Sequence, residues 1–137
     1  MKQDNTVKKG GVLKTPGDVQ AESLRSTGAL NIEGLLNAET VEIELNGDNR
    51  VASIGGGRVS VRRGKNMGGF SLFGRQKRSR LKAELIEADE IDLENTDCRT
   101  VRGVNVHIGS ECVIDRVEYS GTLTTAADAQ IGEKVKI

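Results

Sequence analysis

The sequence predicts an all-β chain: a single-domain parallel β-helix (β-solenoid) of roughly five or six rungs with one inserted basic loop. Three observations predict it. The first is a recurring pattern, apolar-x-x-apolar-x-apolar. It is carried by Ala38-Val41-Ile43, Gly56-Val59-Val61, Ala88-Ile91-Leu93, Val101-Val104-Val106, Ile114-Val117-Tyr119 and Ala126-Ala129-Ile131, with a looser copy at Thr27-Leu30-Ile32. The second is a core palette without large rings: Phe70, Phe73 and Tyr119 are the only aromatics, and there is no Trp. The third is turn chemistry, with 17 Gly and a single Pro, Pro16.

Each observation has a physical reading. Alternation at the end of every copy is the two-residue period of a strand with one face buried. Strands this short cannot each bury a face alone, so they stack on their neighbours. Val, Ile, Leu and Ala suit a narrow interior of repeated, similar side chains, whereas an ordinary globular core leans on large rings. Gly serves a chain that turns every few residues. A helical reading fares worse, because Ile91 and Leu93, like Val104 and Val106, alternate rather than fall at i, i+3, i+4, and β-branched residues dominate the repeat centres.

The last four copies begin at 88, 101, 114 and 126, and the copies at 38 and 56 lie 18 apart. Taking about 18 residues per coil, strands some 4.8 Å apart give a solenoid on the order of 25 to 30 Å long. Residues 1–16 are polar, with Lys2, Lys8, Lys9 and Lys14, and read as a flexible N-terminal tail. The solenoid domain is then 17–137. Asn46-Gly47 marks a turn inside it. Alternation is lost over 62–80, which reads as an insertion between rungs, and it resumes at Leu81.

The formal net charge is +0, from 20 bases and 20 acids, but the charges are segregated. Asn49 through Ala83 holds ten bases and no acid, and Glu84 through Asp97 holds seven acids and no base. Such blocks speak of partners and self-association. In the insertion, Met67, Phe70, Leu72 and Phe73 lie between Arg62, Arg63 and Lys65 on one side and Arg75, Lys77, Arg78 and Arg80 on the other. An apolar wedge with cationic shoulders suits an anionic bilayer, where each base contributes on the order of 1 kcal/mol. The candidate membrane-contact residues are therefore Met67, Phe70, Leu72, Phe73, Arg75, Lys77, Arg78 and Arg80. Three other readings stay open: a loop folding back onto the solenoid flank, the acidic block 84–97 of a neighbouring molecule, and nucleic-acid phosphates. The last has no basic helix or aromatic platform behind it.

Catalytic signals are sparse. His107 precedes Ile108-Gly109-Ser110-Glu111-Cys112-Val113-Ile114, which, with Ile131-Gly132-Glu133-Lys134-Val135-Lys136-Ile137, fits single hexads of the left-handed β-helix of acyltransferases. There a His could act as general base, and a trimeric transferase of that type is the competing functional class. The hexads do not run in series. His107 is the only His, so a multi-histidine zinc site has no ligands. Cys98 and Cys112 read as small inward hydrophobes. Gly55-Gly56-Gly57 and Gly68-Gly69 lack the Lys-Ser or Lys-Thr of a phosphate loop. The expectation is a non-enzymatic chain without metal or cofactor.

Leu30-Asn31-Ile32-Glu33-Gly34-Leu35-Leu36-Asn37-Ala38-Glu39-Thr40-Val41-Glu42-Ile43 resembles the repeats of bactofilins, bacterial polymer-forming cytoskeletal proteins. Val101 through Tyr119, with Ala129-Gln130-Ile131-Gly132, is similar to the branch of that family in Bacillus-like bacteria. The resemblance implies a right-handed β-helix that polymerises without nucleotide, often at the membrane, in cell shape or motility, with other copies of itself as partner. Independently, a solenoid without a capping element exposes strand edges that template another chain, and no amphipathic cap helix follows Ile131. No signal peptide or membrane-length apolar run is evident, so the expected location is the cytoplasm, peripheral at the inner face of the cell membrane through 62–80.

Overall fold

A computed structural model describes residues 6–64 and 79–137. Nine strands account for nearly all of them: β1 (Thr6–Lys9), β2 (Val12–Thr15), β3 (Val19–Ser26), β4 (Ala29–Leu45), β5 (Asn49–Arg63), β6 (Leu81–Leu93), β7 (Thr96–Ile108), β8 (Val113–Thr125) and β9 (Gln130–Lys136). Every pairing is parallel, and the strands form one ladder in the order β1-β3-β4-β5-β6-β7-β8-β9, with β2 on β4. No helix occurs among the described residues. The chain is a β-solenoid of about seven turns.

The strand β6 shows why the coil closes on itself. Its inward residues are Leu81 and Ala83, then Ile86 and Ala88, then Ile91 and Leu93, all buried. Within each pair the alternation is that of a flat strand. Between pairs two successive residues, Glu84-Leu85 and Asp89-Glu90, stay out of the core, so the chain turns there. Five residues per flat and three flats make a coil of 15. Leu81 accordingly pairs with Thr96, Ile86 with Val101 and Ile91 with Val106.

Pairing aligns the inward residues into columns. One runs Leu36–Ile54–Ile86–Val101–Val117, with every member at 0–1% exposure. Another runs Val41–Val59–Ile91–Val106–Leu123. Fully burying such a side chain contributes about 1.5–3 kcal/mol. The columns at the second corner are small because the backbone closes in: a Cβ on Gly56 would lie 2.0 Å from the Ala38 carbonyl oxygen. A few inward positions are polar, Ser26, Asn49 and Thr96 among them. Asn49 is buried, accepts a hydrogen bond from the Leu30 amide (2.8 Å) and donates to the Gly47 carbonyl (2.8 Å), closing the Asn46–Asp48 turn.

Coil length varies. Val19 pairs with Leu36, 17 positions on, and Val101 with Val117, 16 positions on. Asn49 pairs with Leu81, 32 positions on, so the extra chain of the insertion leaves the ladder between Arg63 and Leu81. Two expectations need correction. A coil of 18 to 19 residues holds only for β4 on β5, and the coils free of the insertion elsewhere are 15 to 17 residues long, so more rungs fit than five or six. The first sixteen residues are not all tail, because β1 and β2 pair with β3 and β4. The 13-residue spacing is not the coil period either: Val101 stacks on Ile86, and Ala88 on Gly103. The copy at Val101 is thus two residues out of phase with the copy at Ala88, which leaves Val104 at an outward corner, 39% exposed.

The phase makes a contrast between two apolar residues of similar size. Ile86→Ala is expected to lower unfolding free energy by about 2–4 kcal/mol in urea titration. Val104→Ala should change it by less than about 0.5 kcal/mol. Equal effects would contradict the assigned phase.

Candidate functional site

The insertion leaves from the corner joining the third flat of one coil to the first flat of the next. The same corner carries the Asn46–Asp48, Glu94-Asn95 and Gly109–Cys112 turns. Both stems are tied down there. On the leaving side, the Arg62 guanidinium donates to Asp92 at 2.8 Å, and the Arg63 amide donates to Glu94 Oε1 at 2.8 Å. On the returning side, Arg80 donates from Nε and Nη2 to the two Asp97 oxygens (3.0 and 2.6 Å) and from Nη2 to the Glu111 carbonyl (2.6 Å). Asn95, at φ 50°, bridges the stems by accepting from Arg63 Nη2 and donating to the Ser79 carbonyl, each at 3.3 Å.

Of the candidate membrane-contact residues, Arg80 therefore has its fork filled by Asp97, whose hydrogen bond raises its pKa further. Met67, Phe70, Leu72, Phe73, Arg75, Lys77 and Arg78 lie outside the described residues. Among the described residues no helix is long and apolar enough to cross a membrane.

The segregated charges meet within the chain. The basic β5 stacks on the acidic β6, with Arg58 in register with Glu90. On the far side of β6, Arg102 reaches Glu87 at 3.3 Å and Glu118 at 2.7 Å, and Arg116 reaches Glu118 at 2.7 Å and Glu133 at 3.1 Å. Arg102 and then Arg116 hold the Glu118 carboxyl below its ordinary pKa. Each exposed pair contributes little to stability, about 0–1 kcal/mol. Together they favour this register. The acids Asp92, Glu87 and Asp97 have partners on their own neighbouring coils.

His107 lies on the outer side of the third flat, its Nδ1 2.6 Å from Thr124 Oγ1, in register with Asp92. That face is open to solvent. Cys98 and Cys112 are buried free thiols. Burial pushes Cys98 up to about 12 and Cys112 up to about 11, so neither is a thiolate at neutral pH. Among the described residues no three His, Cys, Asp or Glu gather as a metal would need.

The remaining features are the two ends of the ladder. At the C-terminal end β9 covers β8 only over Val113–Tyr119, so the outer edges of Thr122–Thr125 and of β9 have no strand partner among the described residues. Two inward columns change character there. Leu36–Ile54–Ile86–Val101–Val117 continues to Lys134, and Gly56–Ala88–Gly103–Tyr119 continues to Lys136. Lys136 Nζ lies over the Tyr119 ring at 5.7 Å from its centroid and donates to the Gly121 carbonyl at 3.1 Å. At the other end the inward register positions are Val7 and Lys9 in β1 and then Leu13, Thr15, Val19 and Ala21, so a lysine heads one column there as well. Sequence reasoning missed the lysines because Glu133-Lys134-Val135-Lys136-Ile137 alternates in either phase. The pairing of Ile131 with Ile114 decides it.

No family model matches the chain, and no solved structure does. The chain is similar to two uncharacterized proteins of Bacillus subtilis (strain 168). YhbE is 41% identical over 107 residues, covering 77% of this chain and 44% of that protein. YhbF is 38% identical over 105 residues, covering 76% and 42%. The chain thus spans less than half the length of these curated relatives.

The thiols predict a pH dependence. Their folded values stand above the ordinary 9.0, so the unfolded chain ionises first as pH rises. Their stabilising contribution is complete below about pH 9 and falls progressively as pH rises towards 11–12. Unfolding free energy measured from pH 8 to 11 should fall more steeply for the native chain than for Cys98→Ala/Cys112→Ala. Parallel slopes would contradict the assignment.

Proposed function

We propose that this chain is a polymer-forming scaffold of the bactofilin kind, assembling without nucleotide by end-to-end stacking of β-helices and serving bacterial cell shape or motility. One observation carries the reading: a regular parallel ladder ends in strand edges that have no partner among the described residues, at β9 and at Thr122–Thr125. An open edge of parallel strands presents unpaired N–H and C=O groups in the register a further coil needs. The resemblance of the repeats to bactofilins points the same way, and the open outer flats offer solvated ladders in place of an enclosed cleft. The competing reading, a left-handed hexad acyltransferase, asks for three six-residue flats per coil. Here the flats of β6 are five residues long, and coils pair at 15 to 17 except for β4 on β5, at 18 to 19, so hexads do not run in series.

The proposed membrane contact rests on Phe70, Leu72, Phe73 and the bases Arg75, Lys77 and Arg78, carried on a loop whose two stems are pinned to one corner. Arg80 stands apart, since Asp97 occupies it. The location that follows is cytoplasmic, at the inner face of the membrane.

Two measurements check these proposals. Negative-stain imaging and sedimentation at two protein concentrations, without nucleotide, should give filaments or sheets that grow with concentration. Discrete trimers would favour the transferase, and monomers throughout would contradict stacking. Flotation with anionic vesicles should drop at least about tenfold for Phe70→Asp/Phe73→Asp. Unchanged flotation would remove the loop as the contact.

A further inference from the structure

At the β9 end of the ladder two inward columns change character. Through β8 every coil offers the second flat an apolar or small residue at its inward positions: Ile86 and Ala88 in β6, Val101 and Gly103 in β7, Val117 and Tyr119 in β8. In β9 the same positions hold Lys134 and Lys136, both exposed because no described coil covers them. Their outward neighbours keep the solvent-side ladder, since Glu133 reaches Arg116 at 3.1 Å. The phase is therefore held by an ion pair outside and by Ile131 on Ile114 inside. Lys136 lies across the Tyr119 ring, so the last bulky core side chain is already roofed by a cation.

Resting on the stacking reading, we infer that Lys134 and Lys136 are a charge brake on the β9 end. A further coil laid on β9, from a second copy of this chain or from any other apolar coil, would enclose two ammonium groups above Val117 and Tyr119. Enclosing a cation without a carboxylate costs several kcal/mol. Charges pointing inward at an edge are a known way for a sheet to refuse unwanted pairing. No inward position at the opposite end, at Val7, Lys9, Leu13, Thr15, Val19 or Ala21, offers a carboxylate in return. Lys134 and Lys136 thereby set how readily a stack continues past β9.

The test compares the full native chain with Lys134→Val/Lys136→Val by sedimentation velocity and negative-stain imaging over a concentration series. The inward variant is expected to assemble at a concentration at least about tenfold lower than the native chain. An outward control, Gln130→Val/Glu133→Val, adds apolar surface to the same strand and should give no such gain. Lys134→Gln/Lys136→Gln, which removes charge without adding apolar area, should move assembly in the same direction by less, and it serves if the valine variant fails to fold. The brake is overturned if the inward variants assemble no more readily than the native chain, or if the outward control gains as much. If neither native chain nor inward variants associate at any concentration, the stacking reading falls as well.

Discussion

In-register parallel stacking is the constraint on which everything else in this molecule depends. Because each coil lies directly on the last, an inward side chain has the equivalent residue of the next coil as its neighbour, and a column is only as sound as its least suitable member. Ile86 needs Ile54 below and Val101 above. The same rule fixes Gly56, where a side chain would run into the Ala38 carbonyl, and it makes a single Asn tolerable at position 49 only because its amide group is saturated by neighbouring backbone. The narrow interior explains the absence of Trp and the placement of Tyr119 in the last complete coil, where the small-residue column ends.

Stacking also turns a linear charge pattern into a vertical one. Blocks of like charge along the chain become alternating layers, β5 basic and β6 acidic, with Arg102 and Arg116 threading through the acids beyond. Bases that run without an acid along the chain thereby meet carboxylates across coils, as Arg62 meets Asp92 and Arg80 meets Asp97. The insertion exploits the one corner where an excursion costs the ladder least. Its stems are gripped by Asp92, Glu94, Asn95 and Asp97, so the departure of some fifteen extra residues leaves the columns on either side intact.

Much of this was legible in the residues. Two-residue alternation, β-branched centres and abundant Gly led to stacked parallel strands, and the loss of alternation after Val61 located the insertion. Cys98 and Cys112 occupy buried inward positions, as their apolar neighbours suggested. What could not be read was phase. A five-residue flat places inward residues at its first and third positions, so a three-point apolar template fits in more than one alignment. Val104 matched it while pointing outward. Phase also hid Lys134 and Lys136, which look like ordinary surface lysines until Ile131 is set on Ile114. The role of Arg80 was invisible for a related reason: Asp97 is 17 residues away in sequence and adjacent only across coils. The strands β1 and β2 were hidden because short polar segments beside Gly10-Gly11 and Pro16 carry too few apolar residues to show a period.

The fold supplies an in-register ladder with solvated flats, a corner at which both stems of the insertion are held, and a β9 end whose inward positions carry lysines. A stacking scaffold uses all three. Its foundation is the coil register, which interstrand nuclear Overhauser contacts between backbone protons read directly in the isotopically labelled protein. The account predicts contacts linking Ile86 to Val101, Ile91 to Val106 and Val101 to Val117. Contacts linking Ala88 to Val101 and Val101 to Ile114 would place the coils on a 13-residue step and contradict it.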